Sequence, residues 1–177
     1  MARRLKGDLD GAIADHSQAV SVDPRSAAAY FNRGMEYYLT GAMPKALADL
    51  SQASALAPNE LYLGLLLDVT AVRSGLPGTL KEQSAKFDMA AWPAPAVRLL
   101  LQQLTPEALA AAADDGPASD KPRRQCEAHF YTGVALARAG KPDAAAAEWR
   151  QALANCPKPT PERSYAEVEL KAAGGKP

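Results

Sequence analysis

The chain reads as an all-α protein, a right-handed solenoid of stacked helical hairpins closed by a C-terminal capping helix. One spacing carries most of that expectation. Gly7, Ala12, Ala19 and Pro24 recur 34 residues later as Gly41, Ala46, Ala53 and Pro58, and the same internal offsets return as Gly140, Ala145, Ala152 and Pro157. Self-similarity at a fixed period of this length marks a repeat architecture, in which each unit buries its apolar face against its neighbours. Two further observations agree. No stretch alternates apolar and polar residues in the way a half-buried strand does. Much of the 47% hydrophobic content is alanine, which suits closely packed helices.

Residues 1–173 are read as one domain. Residues 1–24 form a partial repeat, in which helix B is clear over 8–22 while helix A is represented by residues 2–6 alone, too few to nucleate a helix. The expectation is that the chain begins inside a structural unit whose helix A lies upstream. Residues 27–58 form the most complete repeat. Tyr30 and Tyr37 fill its aromatic positions, Gly34 and Ala46 allow close helix approach, and Ala53 is the second small residue of helix B. Gly41 makes the turn, where a positive φ is often needed, and Pro58 cannot continue a helix interior.

Residues 61–93 read as a degenerate repeat. Helix A covers 61–74, with Gly75 in register with Gly41, and helix B covers 79–91, with Leu80 and Phe87 in place of the two small alanines. Trp92-Pro93 stops it. Residues 95–113 form a non-standard helical hairpin whose second helix has Thr105 as N-cap, Pro106 at the first position and Glu107 near the positive helix end. Residues 114–122 are a polar loop. The last repeat, 126–157, places His129 in the first aromatic slot, Gly133 in the small slot and Leu136 in the second aromatic slot, followed by Gly140, Ala145, Trp149, Ala152 and Pro157. After a proline-rich break, 162–173 form the capping helix, with Tyr165, Val168 and Leu170 facing inward. A terminal helix of this kind covers the open end of a stack.

Aromatic, small and turn residues at these places resemble the tetratricopeptide repeat, a helix–turn–helix unit. The resemblance implies a binding surface for protein or peptide partners and no catalysis. The concave face of such a stack is made mainly by helix A. In this chain its residues are Ala28, Phe31, Met35, Tyr38 and Leu39 in the second unit and Tyr62, Leu65, Val69, Val72 and Arg73 in the third. In the last unit they are Glu127, Phe130, Val134, Ala137 and Arg138. The candidate partner-binding set drawn from them is Phe31, Met35, Tyr38, Tyr62, Leu65, Val69, Arg73, Phe130, Val134 and Arg138. An exposed apolar and aromatic patch of this sort takes a helix or extended peptide. Phe31, Met35 and Tyr38 are expected to be more exposed than Tyr30 and Tyr37. The alternative is that the degenerate middle folds back and buries the face. Capture of a peptide carboxylate, as in chaperone-linked repeat proteins, needs paired Lys, Asn and Arg on helix A. Asn32 alone suits that role, and Tyr62 and Leu66 stand where basic residues should be.

Cys126 and Cys156 are the only cysteines. They are read at the start of helix A and the end of helix B of one hairpin, and antiparallel helices bring those ends together. A disulfide is expected if the Cα atoms come within about 7 Å, and it implies an oxidising compartment. Two reduced packing thiols are the alternative. A metal set of Cys126, His129 and Cys156 is the third reading, with no evident fourth ligand.

No phosphate loop, dinucleotide fingerprint, zinc-protease helix or nucleophile elbow is present. No constellation supplies acid, base and nucleophile together, so no cofactor is expected, and a metal-dependent or thiol enzyme is the rival class. His16 stands at a position that normally packs. Asp8-x-Asp10-Gly11 resembles the start of a calcium loop, but the later ligands and closing Glu are missing. Lys and Arg balance Asp and Glu to a net charge of zero, and the pairs Arg3-Arg4 and Arg123-Arg124 are small, so there is no electrostatic case for nucleic acid. The longest apolar stretch, 61–72, is interrupted by Asp68 and too short for a membrane span.

A narrower resemblance covers roughly residues 60 to 172. Trp92-Pro93-Ala94-Pro95-Ala96-Val97 leads into Leu99-Leu100-Leu101, and Thr105-Pro106-Glu107-Ala108-Leu109 follows. Then come Cys126-Glu127-Ala128-His129-Phe130-Tyr131-Thr132-Gly133, Tyr165-Ala166-Glu167 and Glu169-Leu170. This order resembles the bacterial envelope adaptor family of new lipoprotein I. The resemblance implies a non-catalytic adaptor that holds cell-wall hydrolases and a periplasmic protease and forms homodimers. It implies a periplasmic or envelope-associated location; a cytoplasmic adaptor with reduced cysteines is the alternative. Near Met1 there is no lipid-attachment cysteine, and Leu100-Leu101-Gln102-Gln103 departs from the family's tyrosine and glycine.

Overall fold

Side-chain caps start three of the helices in the computed structural model, which describes residues 8–174. The expected helix A remnant at residues 2–6, with Gly7, lies outside the described residues. Those described form helices and connecting turns, with no strand among them. They fall into two compact units, Met1–Met89 and Ala90–Pro177, where one domain is expected from the sequence.

In the first unit, α1 (Leu9–Val22) starts at Asp8, whose carboxylate accepts the Gly11 N–H at 2.9 Å. α2 (Ala27–Leu39) starts at Ser26, whose hydroxyl accepts the Ala29 N–H at 3.2 Å. Each cap satisfies a backbone donor that has no partner inside the helix. Gly41, at φ 78°, ends α2: its N–H reaches the Tyr38 carbonyl at 3.1 Å, and the Ala42 N–H reaches Tyr37 at 2.8 Å. Gly75 and Gly140 close their helices with the same pair of bonds, at φ 77° and 71°. A side chain at that φ is strained, which is why the period is legible at glycine. α3 (Met43–Leu56) returns against α2 with Ala46, Leu50 and Ala53 fully buried. A Cβ on Gly34 would lie 2.9 Å from the Leu50 Cγ, so these helices meet at a distance only glycine allows.

α4 (Leu61–Arg73) packs on α3 and is buried without interruption from Leu63 to Ala71. A helix apolar all round belongs inside. Its one buried charge, Asp68, accepts the N–H groups of Thr79 and Leu80 at 2.5 and 3.0 Å and so fixes the start of α5 (Leu80–Gln83). The helix B expected over 79–91 does not form. α5 is one turn, followed by a 3₁₀ turn (Ser84–Lys86), and Phe87 is extended at φ −90° and ψ 147°. Side-chain size explains the break. The Phe87 ring fills the space beside Gly64, where an added Cβ would sit 2.3 Å from the ring carbon Cζ. An alanine there would let a second helix lie close; phenylalanine occupies the gap itself.

The second unit holds α6 (Ala94–Leu100), α7 (Pro106–Asp114), α8 (Lys121–Arg138), α9 (Pro142–Asn155) and α10 (Pro161–Ala172). α7 begins as its sequence dictates, with the Thr105 hydroxyl accepting the Ala108 N–H at 3.3 Å and Pro106 in the first turn. α8 begins at Lys121 rather than at Cys126, which shortens the expected loop 114–122. Pro122 fits the first turn, where its missing N–H costs nothing, and Arg123 pairs with Glu127 one turn on at 2.6 Å. Gly133 admits Trp149 of α9, whose indole N–H donates to the Phe130 carbonyl at 3.3 Å. Cys126 and Cys156 are joined in a disulfide with Cα atoms 4.8 Å apart, tying the second turn of α8 to the C-cap of α9. α10 packs on α8 and α9 through Tyr165, Ala166 and Leu170, while Val168 is only partly buried.

Candidate partner-binding surfaces

The helix A face is more closed than the sequence suggests. Met35 is 7% exposed, Val69 3% and Val134 5%, and Tyr38, Leu65 and Phe130 have no exposure. The expectation that Met35 and Tyr38 exceed Tyr30 and Tyr37 in exposure is therefore overturned, since the latter two are the partly exposed pair. For Tyr38, Leu65, Val69 and Phe130 the burial has a local cause. The Arg73 guanidinium lies 5.4 Å from the Tyr38 ring centre and covers it. Leu65 and Val69 belong to the helix that is apolar on every side. Phe130 meets Tyr165 of α10 with ring centres 5.8 Å apart, so the capping helix lies over it. Phe31, Tyr62 and Arg73 in the first unit, and Arg138 in the second, remain partly exposed.

Beside this face stands a cluster the sequence reading missed. Arg33 places its guanidinium 5.7 Å from the Tyr30 ring centre and 5.9 Å from that of Tyr37. It also holds Asp49 of α3 through two bonds, Nε to Oδ2 at 2.6 Å and a second nitrogen to Oδ1 at 2.8 Å. The hydrogen bonding to Asp49 raises the Arg33 pKa above its ordinary value, outweighing partial burial, so the side chain is always charged. The signal was present: Arg33 is three residues after Tyr30 and four before Tyr37, on one helix face.

In the second unit, α7 and the α8–α9 hairpin enclose an open cavity of about 460 Å³. Pro106, Ala110, Ala113 and Ala128 supply its apolar lining, and Glu107, Asp114 and Glu148 its carboxylates. His129 Nδ1 lies 2.7 Å from Glu148 Oε2 across the hairpin. Asp114 Oδ1 accepts from Gln125 at 2.8 Å and faces Lys121 at 3.6 Å. Glu107 is held below its ordinary pKa by its own backbone N–H and then by the Thr105 hydroxyl. Glu127 serves the framework instead: it is buried, accepts the Trp92 indole N–H and pairs with Arg123.

Because Cys126 and Cys156 are bonded to each other and His129 pairs with Glu148, the candidate metal set is not assembled. No described helix is long and apolar enough to cross a membrane.

A protein-family model described as TPR repeat matches residues 2–41, a span that includes α1 and α2. No curated protein matches the chain. Repeats of this type generally mediate protein–protein interaction and are typically non-catalytic. The match and the turn-and-cap pattern of the hairpins together support a tetratricopeptide-repeat protein.

Proposed function

We propose that the chain is a non-catalytic scaffold that binds a helix or extended peptide of a partner protein on the helix A face of its first unit. The observation that carries this reading is the partial exposure of Phe31, Tyr62 and Arg73 at helix A positions, above a core built from Met35, Tyr38, Leu65 and Val69. Rigid aromatic groups on a firm base lose little entropy on binding and concentrate the binding energy. The contact surface is thus narrower than the full concave set, and the buried members support it from beneath.

The proposal includes an envelope location, as the resemblance to the lipoprotein adaptor family implies. The Cys126–Cys156 disulfide supports it, because such bonds persist in oxidising compartments. Thiol trapping in intact host cells should find both cysteines unreactive.

Site-specific photo-crosslinking tests the binding surface. A photoreactive residue is placed at Phe31 or Tyr62, with exposed Glu82 as the control position. Adducts to a common polypeptide from the first two positions, absent from the third, are expected. No adduct from either, or the same adducts from all three, would contradict the assignment.

A further inference from the structure

We propose that the groove between α7 and the α8–α9 hairpin is a second docking site, for a lysine- or arginine-bearing peptide segment of a partner protein. It rests on the scaffold reading but not on the helix A face. The cavity of about 460 Å³ falls within the range of ligand sites. No lining residue is a lysine or arginine, and the three carboxylates of Glu107, Asp114 and Glu148 outnumber the neighbouring basic groups, His129 against Glu148 and Lys121 3.6 Å from Asp114. The whole chain has a net charge of zero, so this acidity is local.

Helix geometry arranges these charges. Glu107 and Asp114 are seven residues apart on α7, two turns along one face and roughly 10 Å apart. Glu148 faces them from α9. Among the lining side chains Ala110 and Ala113 on α7 and Ala128 on α8 are small, which leaves room for a backbone and short apolar residues. The existing contacts use one oxygen of each paired carboxylate, Oδ1 of Asp114 and Oε2 of Glu148. An ionised carboxylate offers about four acceptor sites, so an incoming ammonium or guanidinium has places to bind. Glu107 is stabilised in its ionised form by the helix start it occupies. An alternation of basic and small residues complements this groove in charge and in width.

Titration of the full isotope-labelled chain with a synthetic peptide of alternating lysine and alanine, followed by amide NMR, tests the site. A glutamate–alanine peptide is the control. The basic peptide should shift amides in α7 and near Ala128 and Glu148, with weaker binding in higher salt; the acidic peptide should not. Glu107→Gln with Glu148→Gln should weaken binding by roughly fivefold or more. Ala110→Arg, at an exposed position, should abolish it by placing a tethered cation in the groove. Phe31→Ala should leave the titration unchanged, which separates this site from the helix A face. Shifts absent from the groove, equal shifts with the acidic peptide, or unchanged affinity in the carboxylate and Ala110→Arg variants would overturn the proposal.

Discussion

Cutting the Cys126–Cys156 bridge tests how the second unit is held together. The bond joins residues 30 apart in sequence, and both cysteines are buried, at 0% and 6% exposure. In the chain-entropy model, a loop of that length removes about 3.5 kcal/mol of freedom from the unfolded chain. Reduction, or Cys126→Ala with Cys156→Ala, returns that freedom. Truncating two buried sulfurs adds a smaller packing loss in the double variant, so the variant should be slightly less stable than the reduced protein. In a unit of this size, 3.5 kcal/mol corresponds to a fall in Tm of roughly 15–25 °C, and to less if both units melt together. Urea unfolding followed by tryptophan fluorescence reads the change locally, because Trp92 and Trp149 both lie in the second unit and the Trp149 indole is buried and bonded to the Phe130 carbonyl. A loss under about 1 kcal/mol by both routes would refute the reasoning, since the loop-closure argument leaves no room for so small an effect.

Two further outcomes follow from named contacts. Arg33→Met strands the Asp49 carboxylate, which is 7% exposed, and should cost about 2–4 kcal/mol in urea unfolding. Arg33→Lys should recover only part, since an ammonium cannot make the paired bonds; equal stability of all three proteins would show the cluster to be passive. Glu107 has a folded-state pKa below its unfolded value, so its stabilising effect is complete above about pH 4.5 and is lost as pH falls through the lower folded value. The stability gap between the native chain and Glu107→Gln, measured by thermal melts, should therefore be constant near neutrality and close in acid. A gap that widened in acid would reverse the assigned sign.

The repeat frame was legible because its marks are backbone constraints. Gly41, Gly75 and Gly140 show a period since only glycine sits easily at their φ, and Ala46, Ala53, Ala145 and Ala152 show it since they are fully buried between helices. What packs against a repeat is not written in its own period. Phe87 carried a signal in its size, but whether it would seat in a helix or break one depended on Gly64, far away in sequence. Likewise Phe130 looked like a groove residue until Tyr165 of α10 closed over it. The long apolar run of α4, interrupted by Asp68, did announce burial on all sides, and on that ground Leu65 and Val69 belong to the core and not to the face. Lys121 to Gln125 has no apolar periodicity, so the early start of α8 rested on Pro122 and the Arg123–Glu127 spacing alone. The α7 groove was invisible for a related reason: its carboxylates come from two helices that only the tertiary fold brings together.

The central claim is that a partner protein is recognised at the helix A face of the first unit. Calorimetric titration of the polypeptide captured at Phe31 and Tyr62 tests it most directly, using the native chain and Phe31→Ala with Tyr62→Ala. Tyr38 is left out because it is core. The account predicts affinity at least roughly tenfold weaker in the double variant, in line with loss of aromatic anchors, with Tm lowered by no more than a few degrees. Unchanged affinity, or a loss that appears only together with collapse of the melting transition, would contradict it.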